Sequence, residues 1–159
     1  MKLKFIANAC CIVESKKGTK IVSDPWINDG VFDGSWCHFH ELKTTWDDLQ
    51  SVDAVYVSHV HPDHFDNRFF QFPKDTPMIV LDHGLNFLHK NLIAMGYTNL
   101  VKIKNYETLP FKDFKLSTFP PFAGHNFFEE NTKIGNMIDS SIVYEVDNQS
   151  IFNANDNNP

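Results

Sequence analysis

The sequence predicts an α+β domain whose sheets are mostly antiparallel or mixed, and three features predict it. Short β-rich runs recur between turn residues, a single segment carries apolar residues at helical spacing, and neither a repeat nor a linker divides the chain. At 159 residues, 42% apolar and 21% charged, the chain is long enough for one modest core spanning residues 1–159.

The first strands are expected over residues 2–6, 10–14 and 19–23, a meander turned at Lys16-Lys17-Gly18 and ended by Asp24-Pro25. Residues 26–50 hold Gly30, Gly34 and several aromatics without a clear period, so an irregular, partly packed segment is expected there. Residues 52–58, Val-Asp-Ala-Val-Tyr-Val-Ser, read as a buried strand, and 78–81 as another. After Asp82, Leu85, Leu88, Leu92 and Met95 share one helical face until Gly96 stops the helix. Strands follow over 101–104, 112–119 and 141–146, then a tight turn at Asp147-Asn148-Gln149 and a last strand over 150–153.

Fourteen basic side chains against twenty acidic ones leave a formal charge of −6, so no broad cationic field exists to hold nucleic acid or anionic lipid. No apolar run approaches the roughly 20 residues that span a bilayer. The opening Met-Lys-Leu-Lys-Phe-Ile also returns to polar residues too soon for a signal sequence. A soluble, cytoplasmic protein with no nucleic-acid or membrane partner is expected. Cys10, Cys11 and Cys37 cannot all pair within one chain, and reduced thiols are expected.

The chemistry is concentrated where the strand over 52–58 ends. His59-Val60-His61-Pro62-Asp63-His64 spells H-x-H-x-D-H, three imidazoles and a carboxylate in six residues. Histidines two apart can turn their nitrogens towards one cation, while Asp63 and His64, carried further round the bend, can reach a second one. Imidazole with carboxylate suits zinc, and iron or manganese as well, so one or two divalent ions are expected, with zinc favoured.

This loop resembles the H-x-H-x-D-H loop of the metallo-β-lactamase fold superfamily, and Ala9 to Trp26, with its strand, Gly turn, strand and Asp24-Pro25-Trp26, resembles the opening of the lactonase-like branch. Asp24-Pro25-Trp26, Asp139-Ser140-Ser141 and Asn153-Ala154-Asn155-Asp156 most resemble the metallo-β-lactamase-like domain of CMP-N-acetylneuraminate hydroxylases and their bacterial relatives. The resemblance implies an αββα sandwich. It implies that His59 and His61 bind a first metal with a third histidine, a role that His125 fits, and that Asp63 and His64 hold a second. Asp156 matches the carboxylate that bridges both, and Asp24 supports the metal-binding loop from behind. The superfamily takes a final histidine from well after the bridging aspartate, and three residues follow Asp156 here, so the chain is expected to be an N-terminal portion of the fold. The uncovered sheet is expected to drive self-association into a homo-oligomer.

The implied activity is metal-dependent hydrolysis of a small ester, lactone or phosphoester, with hydroxide held on the metals as nucleophile and Asp63 orienting the water or returning a proton to the leaving group. Two alternatives stand beside it: a catalytically inactive metal-binding fragment, and a component of a Rieske-dependent sugar-nucleotide hydroxylase system. Cys37 and His40 have the C-x-x-H spacing of a Rieske half-site, but the chain lacks the second Cys-and-His pair that a cluster needs.

Overall fold

In a computed structural model, which describes residues 1–82, 87–119 and 139–156, two sheets stack face to face with a helix against the outside of the larger one. The larger sheet is formed by β1 (Lys2–Ala7), β2 (Cys10–Glu14), β3 (Lys20–Ser23), β4 (Ala54–Tyr56), β5 (Met78–Asp82) and β6 (Leu100–Lys104), in that spatial order. The first three pair antiparallel as hairpins, and β3 through β6 then run parallel. The smaller sheet has the order β10 (Gln149–Asn153), β9 (Ser141–Val146), β8 (Phe114–Phe119), β7 (Thr108–Phe111), all antiparallel.

The continuous apolar run at residues 54–57 follows from this position in the middle of the stack. Successive side chains of a strand point to opposite faces, and both faces of this sheet are buried. Ile21, Ala54, Tyr56 and Ile79 point to the smaller sheet, where they meet Phe114, Leu116, Ile142 and Tyr144. Val22, Val55, Val57, Met78 and Val80 point the other way, against Leu88 and Leu92 of α2 (Phe87–Ala94) and an aromatic group of Phe65, Phe70, Phe72 and Tyr97.

Two elements depart from the sequence reading, each for a local reason. β7 was not expected, and its Pro110 cannot donate to a ladder. The strand forms at the edge of its sheet, where a missing donor is tolerated, and it pairs with the strand expected over 112–119, which begins at Phe114 after a turn at Lys112-Asp113. Within the segment read as irregular, α1 (Trp46–Leu49) makes one helical turn, started by Asp48, whose carboxylate accepts the Thr45 N–H at 2.8 Å and its hydroxyl at 3.1 Å.

The outward face of the smaller sheet carries both charged and apolar side chains. Lys115 stands opposite Glu145, and Ser117 opposite Val143, with Phe152 exposed beside them. Leu3 and Phe5 are exposed on edge strand β1 of the larger sheet. Among the described residues, no helix is long and apolar enough to cross a membrane.

Candidate metal centre

Adjacent parallel strands end on the same edge of a sheet, so the segments that follow β3 and β4 emerge side by side. The first begins with Asp24, which is fully buried and held at φ +41, a conformation that non-glycine residues rarely adopt. Its N–H donates to the Tyr56 carbonyl at 2.9 Å, and its carboxylate accepts the Ser58 N–H at 2.7 Å and lies 3.2 Å from His64 Nδ1.

The second segment carries the histidine motif. After His59 the chain makes one helical turn, in which the His61 carbonyl accepts the N–H groups of His64 at 3.0 Å and Phe65 at 2.8 Å. Pro62 suits the start of that turn, where no N–H is needed. Phe65 then drops into the aromatic group below, 4.9 Å from the Phe70 ring, and the Tyr97 hydroxyl takes the Phe72 N–H at 3.0 Å. A third contribution comes from the tail after β10, which brings in Asp156.

These pieces converge. His59 Nε2 lies 2.8 Å from His61 Nδ1 and 3.6 Å from Asp156 Oδ2, and ligand atoms of these three residues all fall within 4.8 Å of one another. His64 Nε2 is 3.4 Å from Asp63 Oδ2 and 3.3 Å from the same Asp156 oxygen. That nitrogen is buried and makes no hydrogen bond, although buried polar atoms are almost always satisfied. A divalent cation is a group for which this donor set is suited: imidazole nitrogens and carboxylate oxygens aimed at one gap, among them a buried nitrogen that makes no hydrogen bond.

Of the residues singled out in the sequence, His59, His61, Asp63, His64 and Asp156 are brought together, with Asp24 behind them. His125 lies outside the described residues. The structure adds two residues that the sequence reading passed over. Asn8, in the β1–β2 hairpin at φ +48, donates its side-chain amide to Asp63 Oδ2 at 3.1 Å. Asp139 places Oδ1 3.2 Å from His59 Nδ1. A polar residue tolerant of left-handed backbone between two strands was the available hint for Asn8, and nothing local pointed to its partner.

The electrostatics follow from burial against charge. Burial pushes the His64 imidazole down, but the hydrogen bond and charge of Asp24, with the charges of Asp63 and Asp156, outweigh it and raise its pKa to about 9. His61 is lowered, first by burial and then by the neighbouring His59. A raised folded-state pKa contributes stability that is complete below the unfolded value of 6.5 and lost as pH rises through about 9. The metal-free protein is therefore expected to lose thermal stability between pH 6.5 and 9 and beyond. A melting temperature that rises over that window would contradict the placement of His64.

The sequence matches the Beta-lactamase superfamily domain family over residues 2–149. The chain belongs to that family. Its fold is the metallo-β-lactamase fold, shared with a structure titled as a possible metal-dependent hydrolase from Veillonella parvula, at a TM-score of 0.75 and 22% identity over 98% of this chain and 62% of that one. It is shared as well with CmlA, a diiron beta-hydroxylase from Streptomyces venezuelae, at a TM-score of 0.63 and 19% identity over 98% of this chain and 29% of that one.

Among curated sequences, a Mycolicibacterium smegmatis protein named for a Rieske 2Fe-2S iron-sulfur centre is 29% identical over all of this chain and 30% of its own length. The cytidine monophosphate-N-acetylneuraminic acid hydroxylase of Mus musculus is 31% identical over 63% of this chain and 18% of its own length. The chain thus spans less than a third of these relatives. Structural neighbours of this chain bear the names of hydrolases, one of them described as possibly metal-dependent.

Proposed function

We propose that the chain carries the metal centre of a metal-dependent hydrolase acting in the cytoplasm on a small ester, lactone or phosphoester. The observation that supports this most is the convergence of His59 Nε2, His61 Nδ1 and Asp156 Oδ2 around one gap, with the buried His64 Nε2 facing the same aspartate. In this reading His59 and His61, with His125, would hold a first ion, and Asp63 and His64 a second. Asp156 lies within reach of both groups and would serve as a further ligand. Zinc is the proposed ion, in a site whose donors also accept iron or manganese. When bound, such ions supply Lewis acidity toward a carbonyl or phosphoryl oxygen and make a nearby water acidic enough to attack near neutral pH.

The protein's own groups do the rest. Asp24 holds a proton of His64 on Nδ1, so Nε2 is the nitrogen turned to the gap, and an ion bound there would displace the Nε2 proton. Asn8 fixes one Asp63 oxygen, so that this carboxylate stays aimed at the gap, where it orients water or passes a proton to the leaving group.

Elemental mass spectrometry of the purified chain and of His61→Ala tests the reading. About two metals per chain, lost in the variant, are expected; no metal, or metal indifferent to the substitution, would sink it. In a screen of generic lactones and phosphodiesters, Asp63→Asn is expected to abolish turnover while most first-site metal remains, and unchanged turnover would take Asp63 out of the mechanism.

A second reading rests on the match of the whole chain to a protein named for a Rieske centre. In it the chain is one part of a hydroxylase whose electrons arrive through a partner. Product formation that needs both a reductant and oxygen would favour it over hydrolysis.

A further inference from the structure

We propose that Asp139 is a positioning residue that keeps the proton of His59 on Nδ1, so that Nε2 presents its lone pair to the gap shared with His61 and Asp156. The inference deepens the proposed function and rests on it for the purpose of the arrangement, but the proton position itself is a property of the metal-free protein.

The argument is one of donors and acceptors. His59 is almost fully buried, and its Nδ1 has two neighbours, the Ser58 hydroxyl at 2.9 Å and Asp139 Oδ1 at 3.2 Å. The hydroxyl is ambivalent, since it can donate or accept. It also lies 3.3 Å from Nδ1 of His64, so its single proton cannot serve both rings. The carboxylate is not ambivalent. An Nδ1 lone pair would face an anionic oxygen at 3.2 Å in a nearly dry site, whereas an Nδ1 proton is attracted to it. Asp24 likewise places a carboxylate oxygen 3.2 Å from His64 Nδ1, there in hydrogen-bonding geometry. With the little-exposed Asp139 beside its Nδ1, and nearer than the exposed Asp156 is to its Nε2, the neutral His59 ring carries its proton on Nδ1, and its Nε2 keeps a lone pair that accepts from His61 Nδ1 at 2.8 Å in the metal-free protein.

Asp139 is itself well fixed. Its Oδ1 takes the Ser140 N–H at 2.6 Å, and the side chain is only 11% exposed. Ser140 is tied to the same strand end, because its hydroxyl donates to the Ser58 carbonyl at 3.1 Å and its own carbonyl accepts the Tyr56 hydroxyl at 2.8 Å. The Ser140 carbonyl also accepts the Asn155 side-chain amide at 2.8 Å, one residue before Asp156. The strap at residues 139–140 therefore sets both the aim of His59 and the approach of the tail.

The test is nitrogen-15 NMR of the histidine rings in metal-free wild type, Asp139→Ala and Asp139→Asn, at a pH where His59 is neutral, with Zn(II) affinity measured by chelator competition on the same proteins. Wild type is expected to show the Nδ1–H tautomer of His59. Asp139→Ala is expected to shift His59 towards Nε2–H and to weaken Zn(II) binding roughly 10–100-fold. Asparagine, whose amide oxygen can stand where Oδ1 stands, is expected to retain the tautomer and most of the affinity. An Nε2–H tautomer in wild type, or the same tautomer in wild type and Asp139→Ala, overturns the proposal. If Asp139→Ala fails to fold, wild type and Asp139→Asn decide the question, and Nε2–H in either overturns it. Wild type that shows the expected tautomer and binds no Zn(II) would instead overturn the metal reading and leave the role of Asp139 intact.

Discussion

Asp24→Ala is expected to destabilise the protein by roughly 3–5 kcal/mol, among the largest effects of any single substitution, because it removes one partner of a buried network and leaves the others unpaired. The carboxylate has no exposed surface, accepts the Ser58 N–H and faces the His64 ring. Its loss leaves a buried amide without an acceptor and the His64 ring without the carboxylate at its Nδ1. Asparagine separates the two roles. Its oxygen can still accept from Ser58, so much of the stability is kept, but its NH2 then faces His64 Nδ1 and favours the lone pair there. The proton moves to Nε2, and second-site metal is lost. Urea denaturation of both variants with metal analysis of Asp24→Asn checks this. An alanine variant with the wild-type midpoint would show that Asp24 carries no such network.

Phe70→Ala is expected to cost about 3–5 kcal/mol by emptying the centre of the aromatic group on which the histidine loop rests. The Phe70 ring is 4% exposed and stands 4.9 Å from Phe65, 5.1 Å from Phe72 and 5.5 Å from Tyr97. Phe65 immediately follows His64, so a cavity at Phe70 removes the floor under the motif. Metal affinity is expected to fall together with the urea midpoint. A variant that loses stability while binding metal as tightly as wild type would show that the loop is held by the carboxylates alone.

The sequence made the histidine loop and most strands legible because both signals are local. Four ligand-type residues in six cannot be mistaken for core, and the β-branched runs at 10–14, 20–23 and 141–146 sit between recognisable turns. β7 stayed hidden because Pro110 argues against a strand and only its place at a sheet edge permits one. α1 was within reach, since Thr45 and Asp48 stand at capping-box spacing, but one turn is too short to show a period. Asn8 and Asp139 were beyond reach for another reason. Each acts on a residue far away along the chain, Asn8 on Asp63 and Asp139 on His59, and only the folded sheets bring them close.

That distance shapes how the centre comes into being. Ser58 and Ser140 are 82 positions apart in the chain, and Tyr56 and Ser140 are 84 apart. Contacts that close such long loops must overcome their full entropy before they return any energy, so they form late. A nascent chain that has emerged only as far as residue 138 already displays His59, His61, Asp63 and His64, but neither Asp139 nor Asp156. On the ribosome, the motif exists well before the centre does.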